Sequence, residues 1–262
     1  MPELPDVEIF RRYLNATSLH QAIQNVETRT DLILEQTSSR KLKAGLKDRS
    51  FGSTDRHGKY LFATLNDQIL VLHFGMTGRL KYYKDPEKEP EYTKFLIEFK
   101  NGYHLALVMP RKLGLVRLIS NIGDFIQEKE LGPDIYEDDF DYEKFRSALK
   151  GRRGMIKSTL MNQQIMAGIG NIYSDEILFQ ARVHPKKPVD QLEDKVLREI
   201  FKATREVLKT AIEKKADPEQ FPSSWIIPHR EEGGECPNCG GEVKNITVSG
   251  RSAYYCPKCQ PK

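Results

Sequence analysis

The stretch Tyr60-Leu61-Phe62-Ala63-Thr64-Leu65-Asn66-Asp67-Gln68-Ile69-Leu70-Val71-Leu72-His73-Phe74 holds two short runs of aliphatic and aromatic residues around an Asn-Asp turn signal. Runs of this kind, bounded by turn formers, read as β-strands. Three more follow at close spacing, Phe95 to Phe99, Tyr103 to Val108 and Leu115 to Ile119, with Asn101-Gly102 as a second turn. Several short strands joined by tight turns predict a β-sandwich.

Upstream, Val7, Phe10, Tyr13 and Leu14 recur at helical spacing behind Pro5, so a short amphipathic helix from Asp6 precedes the strands. Downstream, the character changes at Leu131-Gly132-Pro133-Asp134 and the acidic stretch Glu137 to Asp141, where a domain boundary is expected. Beyond it Phe145 and Leu149 mark one helix, Ile156 to Asn162 another, Ile172 to Ala181 a third, and Val196 to Ile212 a longer fourth. After Asp217-Pro218 the chain ends in two strands, Val243 to Val248 and Ser252 to Tyr255, around Ser249-Gly250-Arg251. No internal repeat is present. The class is α+β, divided as 1–131, 132–225 and 226–262.

The chain has 262 residues, of which 39 % are hydrophobic, enough to build real cores. Its 41 basic and 37 acidic residues leave a net charge of only +4, so attraction to a polyanion has to come from local patches. There is neither an apolar run able to span a bilayer nor a charged stretch followed by an apolar core at the start, so a cytoplasmic chain without membrane contact is expected. Nothing signals an oligomer, and a monomer is the default.

All four cysteines lie near the end, as Cys236-Pro-Asn-Cys239 and Cys256-Pro-Lys-Cys259. Two CxxC knuckles in a chain without an export signal suit tetrahedral Zn(II) better than disulfides. Four protein thiolates leave no open position for water, so one structural ion is expected.

The chain opens Met1-Pro2-Glu3-Leu4-Pro5, and removal of Met1 would free the secondary amine of Pro2. An α-amino group titrates near ~8, so part of it is neutral and nucleophilic at physiological pH. Condensed with the C1′ aldehyde form of a deoxyribose, it gives an iminium cation that acidifies the C2′ proton and eases phosphate elimination. Glu3 is placed to move protons at that centre. Taken alone, the pair reads more readily as a commonplace start.

A second constellation runs from Gly151 to Asn171, with Arg152, Arg153, Lys157, Gln163 and Gly168-Ile169-Gly170-Asn171. Its glycines can let a helix start approach a phosphate, or can merely serve a helix packing joint. Arg56-His57-Gly58-Lys59 and His73-Phe74-Gly75-Met76-Thr77-Gly78-Arg79 likewise set basic residues on turns that either contact phosphates or are solvated.

Together these segments resemble the formamidopyrimidine-DNA glycosylase and endonuclease VIII family from end to end: Pro2-Glu3-Leu4-Pro5, His57 to Leu61, His73 to Arg79, Gly168 to Asp175, His184-Pro185, and Gly250-Arg251-Ser252 with the last knuckle. The opening is closer to the formamidopyrimidine branch. The resemblance implies a β-sandwich preceded by a catalytic helix, a helix-two-turn-helix domain and a zinc finger, with damaged or abasic double-stranded DNA bound between the halves. It implies Pro2 as Schiff-base nucleophile, Glu3 as the acid that helps expel the base, Lys59 as proton donor for β-elimination, and Arg251 as the finger-tip residue of δ-elimination. His73, Arg152, Lys157, Asn171 and Arg251 would hold DNA, and Met76, Arg111 and Leu113 would fill the stack behind an extruded nucleotide. The implied activity is a bifunctional glycosylase and abasic-site lyase removing oxidised bases, with ring-opened formamidopyrimidines ahead of 8-oxoguanine and oxidised pyrimidines. The alternative is a catalytically lapsed lesion-binding protein on the same scaffold.

Three departures stand out. The usual Asp-Pro-Arg-Arg-Phe-Gly appears as Met109-Pro110-Arg111-Lys112-Leu113-Gly114, which removes the wedge aromatic. A histidine often found ahead of the Asn-Gly hairpin has no counterpart at Tyr92-Thr93-Lys94. Ala216 to Arg230 replaces a glycine- and threonine-rich base-capping loop, and Trp225 within it reads as packing beside Ile226 and Ile227, with base stacking as the alternative.

Overall fold

The computed structural model describes residues 2–262, which form two compact units. The first comprises Pro2 and Asp6–Glu130; the tripeptide Glu3–Pro5 groups with the second, Leu131–Lys262.

Helix α1 (Leu4–Ser18) leads into β1 (Ile23–Thr28), α2 (Ser39–Leu46), β2 (Ser53–His57), β3 (Tyr60–Thr64), β4 (Ile69–His73), β5 (Arg79–Tyr83), β6 (Thr93–Phe99), β7 (His104–Val108), β8 (Leu115–Ile119) and α3 (Ile122–Glu128). All pairings are antiparallel, in two four-stranded sheets ordered β1-β6-β7-β5 and β2-β3-β4-β8. Leu61, Ala63, Leu70, Leu72 and Val116 of one sheet meet Phe95, Ile97, Leu105 and Leu107 of the other, with Val7 and Leu14 of α1 added to the same core. This is the expected sandwich.

Strands β3 and β4 are apolar on successive residues because both faces are covered. Phe62, Ile69 and Val71 point away from the main core and pack under Phe125 of α3. The sequence reading found five strands and missed β1, β2, β5, α2 and α3. The missed strands β1 and β2 are mostly polar, Ile23-Gln24-Asn25-Val26 having two polar residues between its apolar ends and Ser53-Thr54-Asp55-Arg56 none that is apolar, so no apolar run marks them. Both missed helices are capped, with Ser38 accepting from Lys41 N and Asn121 from Asp124 N.

The second unit holds α4 (Tyr142–Leu149), α5 (Ile156–Met161), α6 (Asn171–Gln180), α7 (Asp194–Glu213) and the hairpin β9 (Lys244–Val248) with β10 (Arg251–Tyr255). Helix α7 is amphipathic, burying Ile200, Ala203, Val207, Leu208, Ala211 and Ile212. Helix α6 is buried nearly all round, including Ser174, Asp175 and Glu176, so it is the axis of this unit. No helix among the described residues is long and apolar enough to cross a membrane.

Candidate active site

The residues singled out by sequence gather in two places. In the first unit the strand registers put them at one end of the sandwich. His57 opposes Tyr60, Tyr60 opposes His73, and His73 opposes Leu115, while Thr93 and Arg79 both oppose Val108. Two of the three connections between the sheets, Phe74 to Gly78 and Met109 to Gly114, therefore lie at that end, with the Gly58-Lys59 turn beside them. Lys59 is buried there, His73 and Met76 are half-buried, and Arg111 and Leu113 are exposed.

His73 Nδ1 accepts from Gly75 N at 3.2 Å, which leaves Nε2 to carry the proton. Burial, reinforced by the Lys59 ammonium, pushes its pKa down to about 4. His73 is therefore a neutral donor at physiological pH. At α1, burial opposes ionisation of Glu8, but hydrogen bonds and charge from Arg11, Arg12 and Arg56 outweigh it and hold the carboxyl below its usual range.

In the second unit the centre is the start of α6. Glu3, fully buried, accepts from Gly170 N at 2.6 Å, Ile172 N at 2.7 Å and Tyr173 N at 3.3 Å. The first amides of a helix have no partners within it and carry the positive end of its dipole, so a carboxylate fits there. Leu4 N donates to Gly168 O at 3.1 Å. A side chain at Gly168 would overlap Leu4, and one at Gly170 would overlap the Glu3 carboxyl carbon. Gly168 also has φ +123°, outside what side-chain-bearing residues adopt. The glycines read as phosphate-approach candidates thus admit the N-terminal residues of the chain itself. Gln163 braces the loop, its amide donating to Met161 O and Ile169 O while its oxygen accepts from Gly168 N.

Lys157, expected to hold a phosphate, faces inward. Its ammonium donates to Asn171 O at 3.0 Å, Ser174 Oγ at 2.9 Å and Asp175 Oδ1 at 2.6 Å, using all three protons. Burial pushes its pKa down, against the pull of Asp175. Asp175 also takes Arg230 Nε at 2.8 Å, and Arg230 lies over the Tyr254 ring. Asp175 and Arg230 were not singled out; an Asp on a buried helix face was the available signal. Asn171 opens α6, with its side-chain oxygen buried and without a partner among the described residues. Arg152 and Arg251 are exposed, the latter just after the Ser249-Gly250 turn, where φ is +47° and +75°. Trp225 is packing: it is 6 % exposed, with Phe221 at 4.7 Å between ring centroids.

Cys236, Cys239, Cys256 and Cys259 bring their Sγ atoms within 4.8 Å of one another, with Cys236 to Cys259 at 3.8 Å and Cys239 to Cys256 at 3.5 Å. A tetrahedron of Zn–S bonds about 2.3 Å long has edges of about 3.8 Å, so the set fits zinc. The knuckles pack on Phe179 of α6 and Ile226, and Gln260 ties them to the helical part by accepting from Cys256 N and donating to Val183 O.

Family models match the chain along its length: the formamidopyrimidine-DNA glycosylase N-terminal domain at residues 1–116, its H2TH domain at 131–223, and the zinc finger found in FPG and IleRS at 233–262. The chain belongs to the formamidopyrimidine-DNA glycosylase family. At that level it is a DNA glycosylase of base excision repair with a structural zinc site. It is similar to the formamidopyrimidine-DNA glycosylases of Streptococcus pneumoniae serotype 4, 33 % identical over 99 % of both chains, and Heliobacterium modesticaldum, 34 % identical over 99 % of this chain and 100 % of that one. Among solved structures, the Lactococcus lactis enzyme bound non-covalently to AP-site DNA matches with a TM-score of 0.91 and 30 % identity, covering 100 % of each chain. The same enzyme with N7-benzyl-Fapy-dG DNA gives 0.90 at 30 % identity over 100 % of each chain.

Proposed function

We propose that this formamidopyrimidine-DNA glycosylase family member is a bifunctional glycosylase and abasic-site lyase using the Pro2 amine as nucleophile. The observation that carries the reading is the burial of Glu3 on the first amides of α6, directly after a half-exposed Pro2. A carboxylate fixed by three amides costs no reorganisation during reaction and aims its neighbour. Met1, whose removal the chemistry needs, lies outside the described residues.

The substrate is duplex DNA carrying a ring-opened formamidopyrimidine or an abasic site inside the cell, acted on by a monomer. The damaged nucleotide is extruded at a cost of a few kcal/mol, and Met76, Arg111 and Leu113 enter the stack it leaves. The Pro2 nitrogen then attacks C1′ and the glycosidic C1′–N bond breaks, the base departing with a proton relayed through Glu3. The amine proton passes to the ring oxygen O4′ as the C1′–O4′ bond breaks, which opens the sugar and leaves an iminium at C1′. Removal of a C2′ proton expels the 3′ phosphate, with Lys59 managing proton transfer, and a second elimination assisted by Arg251 expels the 5′ phosphate. His73, Arg152, Asn171 and Arg251 hold the DNA backbone, His73 as a neutral donor. Lys157 is left out of that set, since its protons are committed inside the fold.

Borohydride trapping on abasic duplex DNA tests this with the native chain, Pro2→Gly and Glu3→Gln, followed by a panel of formamidopyrimidine, 8-oxoguanine and oxidised pyrimidine duplexes. A covalent adduct lost in Pro2→Gly is expected. No adduct, with Met1 shown absent by mass spectrometry and DNA binding intact, selects the lapsed lesion-binding protein instead.

A further inference from the structure

Among the described residues, three large apolar side chains are exposed to solvent: Leu32, Leu113 at 55 % exposure and Tyr92 at 48 %. Leu113 and Tyr92 share the end of the sandwich that carries Lys59 and His73. Tyr92 O accepts from Met109 N at 3.0 Å, so the tyrosine is fastened to the base of the Met109 to Gly114 connection that presents Arg111 and Leu113. That connection rests in turn on the Gly75 turn, where any side chain would overlap the Leu113 carbonyl, next to Met76.

The backbone at Tyr92 is strained. Its φ is +64°, a left-handed conformation that costs energy for a bulky residue, and Lys112 in the facing connection has φ +50°. The strain sits beside a bulge, since the β6–β7 register shifts between Thr93 and Phe95. Bulges re-aim side chains next to functional sites. Here the bulge lets Thr93 turn inward, its hydroxyl donating to Pro90 O at 2.7 Å, while Tyr92 turns outward. The ring is also held from two sides: Lys94 Nζ is 5.7 Å from its centroid, and the Glu91 carboxylate accepting from its hydroxyl pushes the phenol pKa up.

We infer that Tyr92 is a base-contacting residue, its ring supplying the aromatic stacking surface that Leu113 does not provide. The inference rests on the proposed use of Met76, Arg111 and Leu113 against DNA. A flat ring beside an aliphatic wedge separates two tasks, with Leu113 opening the stack and Tyr92 covering an exposed base face. Any base offers such a face, so the contact is sequence-tolerant.

The test compares the full-length protein with Tyr92→Phe and Tyr92→Asn on a duplex holding a tetrahydrofuran abasic analogue with 2-aminopurine opposite it. Asparagine tolerates the left-handed backbone without a ring. Tyr92→Phe is expected to keep the wild-type Kd and fluorescence change. Tyr92→Asn is expected to weaken binding about tenfold and reduce that change, as loss of one stacked base does, while melting no lower than wild type. Wild-type affinity in Tyr92→Asn, equal weakening in both variants, or weakening matched by a lower Tm would each overturn the inference. Borohydride trapping of the same proteins separates the failures: an adduct through Pro2 with unaltered Tyr92→Asn binding sinks the tyrosine alone, whereas no Pro2 adduct sinks the lyase reading.

Discussion

Replacing Glu176 by glutamine should stabilise the protein at alkaline pH and do little at acid pH. Glu176 is fully buried on α6, its carboxylate accepting from Gln180 Nε2 at 2.7 Å and Ile227 N at 3.0 Å. Burial moves its pKa from 4.5 to about 7, against the lowering effect of those donors. The folded state therefore binds a proton more tightly than the unfolded chain. The stability linked to that proton is fully present below pH 4.5, declines as pH rises, and is gone once pH has passed through about 7. At about 1.4 kcal/mol per pH unit, the interval corresponds to about 3 kcal/mol. Glutamine keeps the shape and carries no charge to desolvate; its oxygen can accept from Ile227 N while the Gln180 amide turns to accept from its nitrogen. Urea unfolding of both proteins at pH 5 and pH 8 gives the answer as a difference of differences, in which groups such as Glu8 that titrate in both proteins cancel. The variant should gain about 2 to 3 kcal/mol relative to wild type between the two pH values. An equal offset at both would show that Glu176 does not take up a proton in this range.

Gly170→Ala should abolish most activity while leaving zinc content and sandwich intact, because the new methyl takes the place of the Glu3 carboxyl at the start of α6. Overpacking of this kind costs about 1–3 kcal/mol; single-turnover kinetics within twofold of wild type would refute the assigned geometry. Cys239→Ser should lose stoichiometric zinc by atomic absorption and weaken DNA binding, with the near-UV signature of the sandwich retained. Unchanged affinity after zinc loss would show that the finger does not serve DNA.

Much of this was legible in residue patterns, and the part that was not has a physical reason. The thiolate spacing of Cys236 to Cys259 needed no tertiary information, since each knuckle is a local turn. The burial of β3 and β4 showed as continuous apolar runs, whereas β1, β2 and β5 bury only scattered residues among polar ones and left no such trace. Gly168 and Gly170 were recognisable as positions that need close approach, but what approaches them comes from more than 160 residues upstream, as the Glu3 to Gly170 bond spans 167 positions. The inward turn of Lys157 was equally hidden, because a lysine in a basic segment looks the same whether its partner is a phosphate or Asp175.

Lys157 and Asp175 are both fully buried, and separating such a pair leaves an uncompensated charge inside at about 3–5 kcal/mol. A solvent-exposed ion pair returns only about 0–1 kcal/mol, so drawing the ammonium out to one backbone phosphate is a net loss. The charge is better understood as part of a frame: Lys157 and Arg230 both donate to Asn171 O and to Asp175, clamping the first turn of α6 from two sides. The amides that turn presents are those that hold Glu3. The same frame ties down the segment before the finger. Ser224 O and Ile227 N meet Gln180 and Glu176, Arg230 meets Asp175, and Phe221 and Trp225 pack together. A segment so fastened to α6 is part of the support for Glu3 and Asn171, and its sequence, unlike that of a glycine-rich loop, is set by what it must grip.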